Sequence, residues 1–253
     1  MFSRLLSGNR RSKLRTAQVP ADTRLYAIGD IHGRVDLLRA AHAKILADAK
    51  TSPAKRKVVI YVGDYIDRGS ESRQVIDLLL DEPLAGFETV HLRGNHEQAL
   101  LDFWDDSAIA PEWFFYGGDA TLSSYGVTRP APGGGPEALL KVQAEFKAKL
   151  PERHLAFYRA LPLYHHEGDY LFVHAGIRPG VPLDAQSEHD LLWIREVFLQ
   201  SSADHGCVVV HGHTITPRPE VKHNRIGIDT GAYATGRLTC LMIEQDEREF
   251  LTT

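Results

Sequence analysis

The sequence is poor in the residues that would cross-link it or anchor it. Of 253 residues, two are cysteine and two are methionine. Two cysteines cannot build a disulfide framework. Cys207 opens the apolar run Cys207-Val208-Val209-Val210, so it reads as a buried small hydrophobe in a reduced compartment. A chain of this length buries roughly three quarters of its unfolded surface and needs no such staple. No stretch approaches the ~18 apolar residues of a membrane helix, so no membrane association is expected. An excess of one charge is missing as well. Lys and Arg number 29 against 33 Asp and Glu, a net charge of −4, and nucleic acid is not an expected partner. Charged residues at 25% and hydrophobic residues at 43% exclude a disordered or fibrous chain.

Histidine, by contrast, is plentiful, with 13 residues. Imidazole is a common metal ligand and the side chain that titrates near neutrality, so the excess points to a metal or proton-transfer site. The same count arises from scattered exposed histidines, and composition alone does not locate a site. The N-terminus differs from the rest. Arg4, Arg10, Arg11, Lys13, Arg15 and Arg24 are opposed only by Asp22. No apolar core of about 7–15 residues follows, as a secretory signal would need. Residues 1–22 are expected to be a disordered basic lead-in, with an Arg- and Ser-containing transit peptide as the alternative.

From Arg24 onward the pattern is strand, turn, helix, repeated. Leu25–Ile28 is apolar and ends at Gly29, and Arg34–Lys50 has helical spacing at Leu37, Leu38, Ala41, Ile45 and Leu46. Val58–Val62 is β-rich and ends at Gly63. A helix follows, with Ser70 as N-cap and Val75, Ile76, Leu79 and Leu80 on its buried face. Thr89–Leu92 is a third strand, and Asn95 opens a third helix. This alternation implies βαβ units and a parallel sheet. Residues 105–160 carry Gly/Pro turns and helices near 137–149 and 152–160, a helical insertion too short to stand alone. Strands resume at 169–174, 208–211, 225–228 and 238–244, and residues 249–251 add a further strand, antiparallel to its neighbour. The length fits one large domain or two small ones. No linker is visible, so residues 23–253 are expected to form one domain.

The first three strands end in related peptides: Gly29-Asp30-Ile31-His32-Gly33, Gly63-Asp64-Tyr65-Ile66-Asp67-Arg68-Gly69 and Arg93-Gly94-Asn95-His96-Glu97. A βαβ unit takes about 30 residues or more. Asp30, Asp64 and Asn95, spaced at such intervals, therefore fall at the same edge of three parallel strands, where α/β sheets build their sites. Each follows a glycine, which permits the sharp turn. Singly, each peptide reads as a turn or helix cap. Together they converge three oxygen donors and the imidazole of His32. His174 and His213 follow later apolar runs. Such donors suit divalent manganese, iron or zinc. More are available than one ion needs, so a two-metal site for displacement at phosphorus is natural.

The order of these motifs, with His174-Ala175-Gly176 and Gly212-His213-Thr214 after them, resembles the calcineurin-like metallophosphoesterases. Within them it is most similar to the phosphoprotein phosphatase branch, in its bacterial and phage serine/threonine form. The likeness runs from about Leu25 to Glu244. It implies an α/β fold, a β-sandwich of mixed sheets flanked by helices and built from βαβ units. It also implies two divalent metal ions, with manganese as the first choice and iron or zinc as alternatives. Asp30 and His32 would bind the first ion, Asp64 would bridge, and Asn95, His174 and His213 would bind the second. His96 would be the general acid, with Asp67 orienting it and raising its pKa. Arg68 and Arg195 would clamp phosphoryl oxygens, and Arg93 would lie near the metals. For Arg195 the plain alternative is an ion pair with Glu188 or Glu196. Tyr116 and Gly117-Gly118 either line the site or form a turn. Asp229-Thr230-Gly231 is expected as scaffold and His211 as structural.

The expected function is a cytoplasmic, metal-dependent phosphomonoesterase, a serine/threonine protein phosphatase acting on a phosphoprotein or phosphopeptide. A hydroxide held by the metals would attack phosphorus directly. The alternative within the same chemistry is a hydrolase of the symmetrical diadenosine tetraphosphate type. The intact Asp67-Arg68-Gly69 and Arg93–Glu97 motifs favour the protein phosphatase. A non-catalytic scaffold would typically have lost ligands or the acid, and none is missing. A nucleic-acid phosphodiesterase lacks a basic face outside residues 1–24.

Overall fold

The computed structural model describes residues 17–131 and 133–253 of the chain. The first half alternates β1 (Thr23–Ile28), α1 (Val35–Asp48), β2 (Arg56–Tyr61), α2 (Ser72–Asp81), β3 (Glu88–His91) and α3 (Asn95–Asp105). A helical stretch follows: α4 (Ala110–Phe115), α5 (Gly118–Ser124), α6 (Pro136–Lys149) and α7 (Glu152–Ala160). Then come β4 (Tyr164–Glu167), β5 (Tyr170–Val173), α8 (Glu188–Trp193), α9 (Glu196–Leu199), β6 (Val208–His211), β7 (Glu220–Val221) and β8 (Arg225–Gly227). The chain closes with α10 (Ala232–Thr235), β9 (Thr239–Glu244) and β10 (Glu247–Thr252).

Two mixed five-stranded sheets result, in the orders β10-β9-β1-β2-β3 and β4-β5-β6-β8-β7. In the first, β1, β2 and β3 are parallel, and β9 returns antiparallel beside β1. In the second, β5, β6 and β8 are parallel. Side-chain alternation builds the layers, because successive residues of a strand face opposite sides. Leu25, Ala27, Val58 and Ile60 pack with Phe172, Val208, Val210 and Ile226 between the sheets. Tyr26, Ile28, Val59 and Tyr61 point the other way, onto α1, α2 and the helical insertion. Leu171, Val173 and Val209 cover the outer face of the second sheet with Leu191 and Phe198. This is the expected sandwich of mixed sheets flanked by helices.

Several local expectations need correction. Ser70 does not cap α2. The helix starts at Ser72 with Glu71 at the cap, because Glu71 N–H is taken by Gly33 O and Gly69 is wedged against Gly33. Leu46, placed by period on the buried face of α1, is exposed. Cys207 is half-buried, since it precedes β6 instead of lying within it, while Cys240 is buried inside β9. The expected lead-in lies outside the described residues as far as 16. Its last part is seated on the fold, with Val19 buried and its N–H bonded to Gln245 O.

Candidate active site

Parallel β1, β2 and β3 deliver Asp30, Asp64 and Asn95 to one edge, and β5 and β6 deliver His174 and His213 to meet them. All five are buried, as is His32. The backbone is shaped for this convergence. A Cβ on Gly212 would lie 1.9 Å from Asp30 Oδ1, and one on Gly94 would lie 2.1 Å from Asp64 Oδ1. Seven non-glycine residues among those described have positive φ, and five are His32, Asp64, Asp67, Arg68 and His213. Non-glycine residues adopt that region at a cost, and such strain gathers at functional sites. The Glu97 carboxylate accepts the N–H groups of Asp64, Tyr65 and Gly94 at 2.8–2.9 Å, and so secures the Asp64 turn against the start of α3.

Two groups of ligand atoms form around a shared carboxylate: His32, Asp64 and His96, and Asp64, His174 and His213. His32 Nδ1 donates to Ile66 O at 2.8 Å and His174 Nδ1 donates to Val62 O at 2.9 Å. Each ring is thereby left with a lone pair on Nε2. That of His174 lies 2.8 Å from Asn95 Oδ1, which is also an acceptor. His213 Nδ1 lies 2.9 Å from the same oxygen. Asp30 accepts His213 N–H through Oδ2, while Asp30 Oδ1 and His213 Nε2 are buried with no partner among the described residues. Facing acceptors and orphaned buried atoms fit a bound cation, and the mixture of Asp, Asn and His suits a divalent transition metal. Burial pushes the Asp30 and Asp64 carboxyls well above the usual carboxylate range. It pushes the imidazoles of His32 and His213 well below theirs and that of His174 down to about 3. Asp30 adjoins the second group through the His213 N–H, and His96 stands beside His32 and Asp64.

The His96 ring is held by Asp67, with Nδ1 2.6 Å from Oδ2. Trp113 Nε1 donates to that same oxygen at 3.0 Å, and Thr121 Oγ1 donates to Oδ1 at 2.5 Å. Both come from the helical insertion. Burial pushes Asp67 up to about 8. Burial, aided by the charge of Arg68, pushes His96 down to about 3. Burial thus sets the direction for His96, while Asp67 orients its ring.

A cleft of about 500 Å³ opens over these groups. Arg68 and Arg195 line it, together with Phe115, Tyr116, Trp193 and Ile215. Arg68 donates to Tyr233 Oη at 3.0 Å, and Arg195 donates to Thr214 Oγ1 at 3.3 Å. Arg195 forms neither of the alternative ion pairs with Glu188 or Glu196 among the described residues. Arg93 turns away from the cleft to Gln98, Glu188 and the Arg159 carbonyl. Gly117, with φ +99°, caps α5, and its carbonyl accepts Arg68 N–H.

The sequence matches the calcineurin-like phosphoesterase family over residues 23–239. The chain belongs to that family. Among curated proteins it is 26% identical to the asymmetrical bis(5′-nucleosyl)-tetraphosphatase PrpE of Bacillus thuringiensis (strain Al Hakam), over 87% of this chain and 90% of that one. The PrpE of Bacillus anthracis (strain A0248) is 25% identical over the same shares. Among solved structures, a candidate diadenosine tetraphosphatase superposes with a TM-score of 0.60 at 19% identity, covering 93% of this chain and 98% of that one. A protein serine/threonine phosphatase from Saccharomyces cerevisiae gives 0.54 at 17%, covering 91% and 79%. These structures share the fold.

In this phosphoesterase, four residues at the site were not singled out for it by the sequence. Asp229 is buried beside Asp30, whose carboxyl its charge helps to push up, and it lines the cleft instead of serving as scaffold only. It closely follows a short strand, as Asp30 and Asp64 do, and that signal was available. Trp113, Thr121 and Phe115 carry no comparable signal, because only the docking of the insertion brings them near.

Proposed function

We propose that this phosphoesterase hydrolyses dinucleoside tetraphosphates, water adding to phosphorus as one bridging P–O bond breaks. The observation that carries the reaction class is the meeting, in one cleft, of two buried ligand groups, a histidine–carboxylate pair and two arginines. The choice of substrate is supported by the names of the curated relatives. Two divalent ions, manganese by first choice, would be held by Asp30, His32, Asp64, Asn95, His174 and His213. When bound they supply Lewis acidity and an activated water. Among the described residues, the Arg68 and Arg195 side chains donate to neutral hydroxyls, so an anionic phosphoryl group displaces those contacts and gains charge-assisted ones. The His96–Asp67 pair, whose carboxyl burial pushes up to about 8, would supply the proton for the departing oxygen through the imidazole, and Asp67 keeps that ring oriented.

The second reading is a serine/threonine protein phosphatase. It is favoured by the intact Asp67-Arg68-Gly69 and Arg93–Glu97 motifs. The deciding experiment is a side-by-side assay with manganese on diadenosine tetraphosphate and on phosphoserine, phosphothreonine and phosphotyrosine peptides. Cleavage of the dinucleotide is expected. Cleavage of the peptides alone would replace the first reading with the second. In heavy-oxygen water, one solvent oxygen should enter the product per turnover, and its absence would rule out direct attack.

A further inference from the structure

The wall of the cleft away from the charged groups is aromatic, and it is continuous. Phe115 is 87% exposed, although its neighbours Trp113 and Phe114 at the end of α4 are buried. An exposed apolar ring gains meaning when it continues a patch at the rim of a site, because contiguous patches mark binding grooves. The ring of Phe115 lies 5.8 Å from that of Tyr116, and Tyr116 lies 5.3 Å from Trp193. The inner end of this strip reaches the chemistry. Tyr116 is 6.0 Å from the His96 ring, and Trp193 is 6.1 Å from the His213 ring. Tyr116 is steadied by a hydrogen bond from its hydroxyl to Glu112 Oε1. The strip thus runs from the ligand groups outward to solvent, with its outermost ring the most exposed.

We propose that Phe115, Tyr116 and Trp193 form a platform on which the nucleobase of a phosphorylated substrate stacks. A phosphate gripped by Arg68 and Arg195 leaves the remainder of its molecule to lie along this wall. The rings are tilted, by 66° between Phe115 and Tyr116 and by 48° between Tyr116 and Trp193, so a flat, uncharged base lies on the face of one and meets the edges of its neighbours, whereas a serine or threonine side chain offers nothing flat to stack. Stacking of a base on aromatic side chains is worth about tenfold or more in affinity, whatever the base. The proposal deepens the dinucleotide reading and rests on it for the physiological substrate.

The test uses the manganese-loaded protein, with adenosine monophosphate and ribose 5-phosphate as competitive inhibitors of hydrolysis of a small phosphate ester. The two inhibitors share the phosphate and the sugar, so their ratio reports the base. The nucleotide should bind about tenfold tighter. Phe115→Ala and Trp193→Ala should bring the ratio toward one, and Phe115→Tyr should restore it. Equal binding of the two inhibitors by the unaltered protein would overturn the platform, as would a ratio preserved in Phe115→Ala. Phenyl phosphate binding as tightly as the nucleotide would also overturn it, by assigning the wall to a tyrosine ring. If the ratio behaves as expected and diadenosine tetraphosphate is not cleaved, the dinucleotide reading falls and the platform stands. If the dinucleotide is cleaved and the ratio is one, the platform alone falls.

Discussion

His96 and Trp113 share one oxygen of Asp67. The imidazole Nδ1 lies 2.6 Å from Oδ2 and the indole Nε1 donates to it at 3.0 Å, while Thr121 holds the other oxygen. The carboxylate is therefore fixed in orientation before it orients the histidine. Trp113→Phe, which removes only the N–H, should lower kcat about tenfold with little change in KM. Thr121→Val should act in the same direction and Thr121→Ser should not. His96→Asn should cost about 10²–10⁴-fold while retaining metal. All these losses should be largest for substrates with poor leaving groups. Rates measured across a series of phosphate esters check this, and a loss independent of leaving group would remove His96 from proton transfer.

Asp64 is the one carboxylate common to both ligand groups. Asp64→Asn should reduce occupancy of both ions, whereas His174→Ala should reduce one more than the other. Metal content per chain after dialysis is the readout. Chelation of the unaltered protein should lower its melting temperature by several degrees, since an ion at a hundred times its dissociation constant stabilises by about 2.7 kcal/mol.

Gly212 leaves no room for a side chain, its hypothetical Cβ lying 1.9 Å from Asp30 Oδ1. Gly212→Ala should displace that carboxylate and weaken metal binding about 10–100-fold. Calorimetric titration with manganese would show it. Unaltered affinity would mean that Asp30 is not a ligand.

His91 packs on Tyr61, with the rings 4.8 Å apart and nearly parallel, and its Nε2 is buried without a partner among the described residues. Burial pushes His91 down to about 4, and likewise His42, which bonds the Tyr61 hydroxyl. Below about pH 6.5 the unfolded chain binds protons at these positions that the fold refuses. Stability should therefore fall as pH drops from about 6.5 toward 4, by on the order of 2–3 kcal/mol for each histidine. His91→Phe keeps the stacking and removes the titration, so its denaturation curves should depend less on pH over that window.

The strand-end logic located the core of the site. Glycine-preceded Asp30, Asp64 and Asn95, spaced by one βαβ unit each, were bound to share an edge once the strands were parallel. His174 and His213 were readable for the same reason on the second sheet. What stayed hidden lies on helices that carry no periodic relation to those strands. The approach of Trp113 and Thr121 to Asp67 depends on how 105–160 folds back, which no local pattern encodes. The sign of the His96 shift was hidden too, because sequence names the carboxylate partner but not the dryness around the pair. Leu46 shows the converse limit, since a helical period marks a face but not how far the neighbouring layer extends.

The positive φ angles at His32, Asp64, Asp67, Arg68 and His213 give the site a second description, in torsions instead of side chains. Glycine would adopt each of these turns without that strain but would erase the side chain that the site uses. A transplant of the same side chains onto unstrained loops would present them along different vectors. The arrangement belongs to the chain's path as much as to its chemical groups.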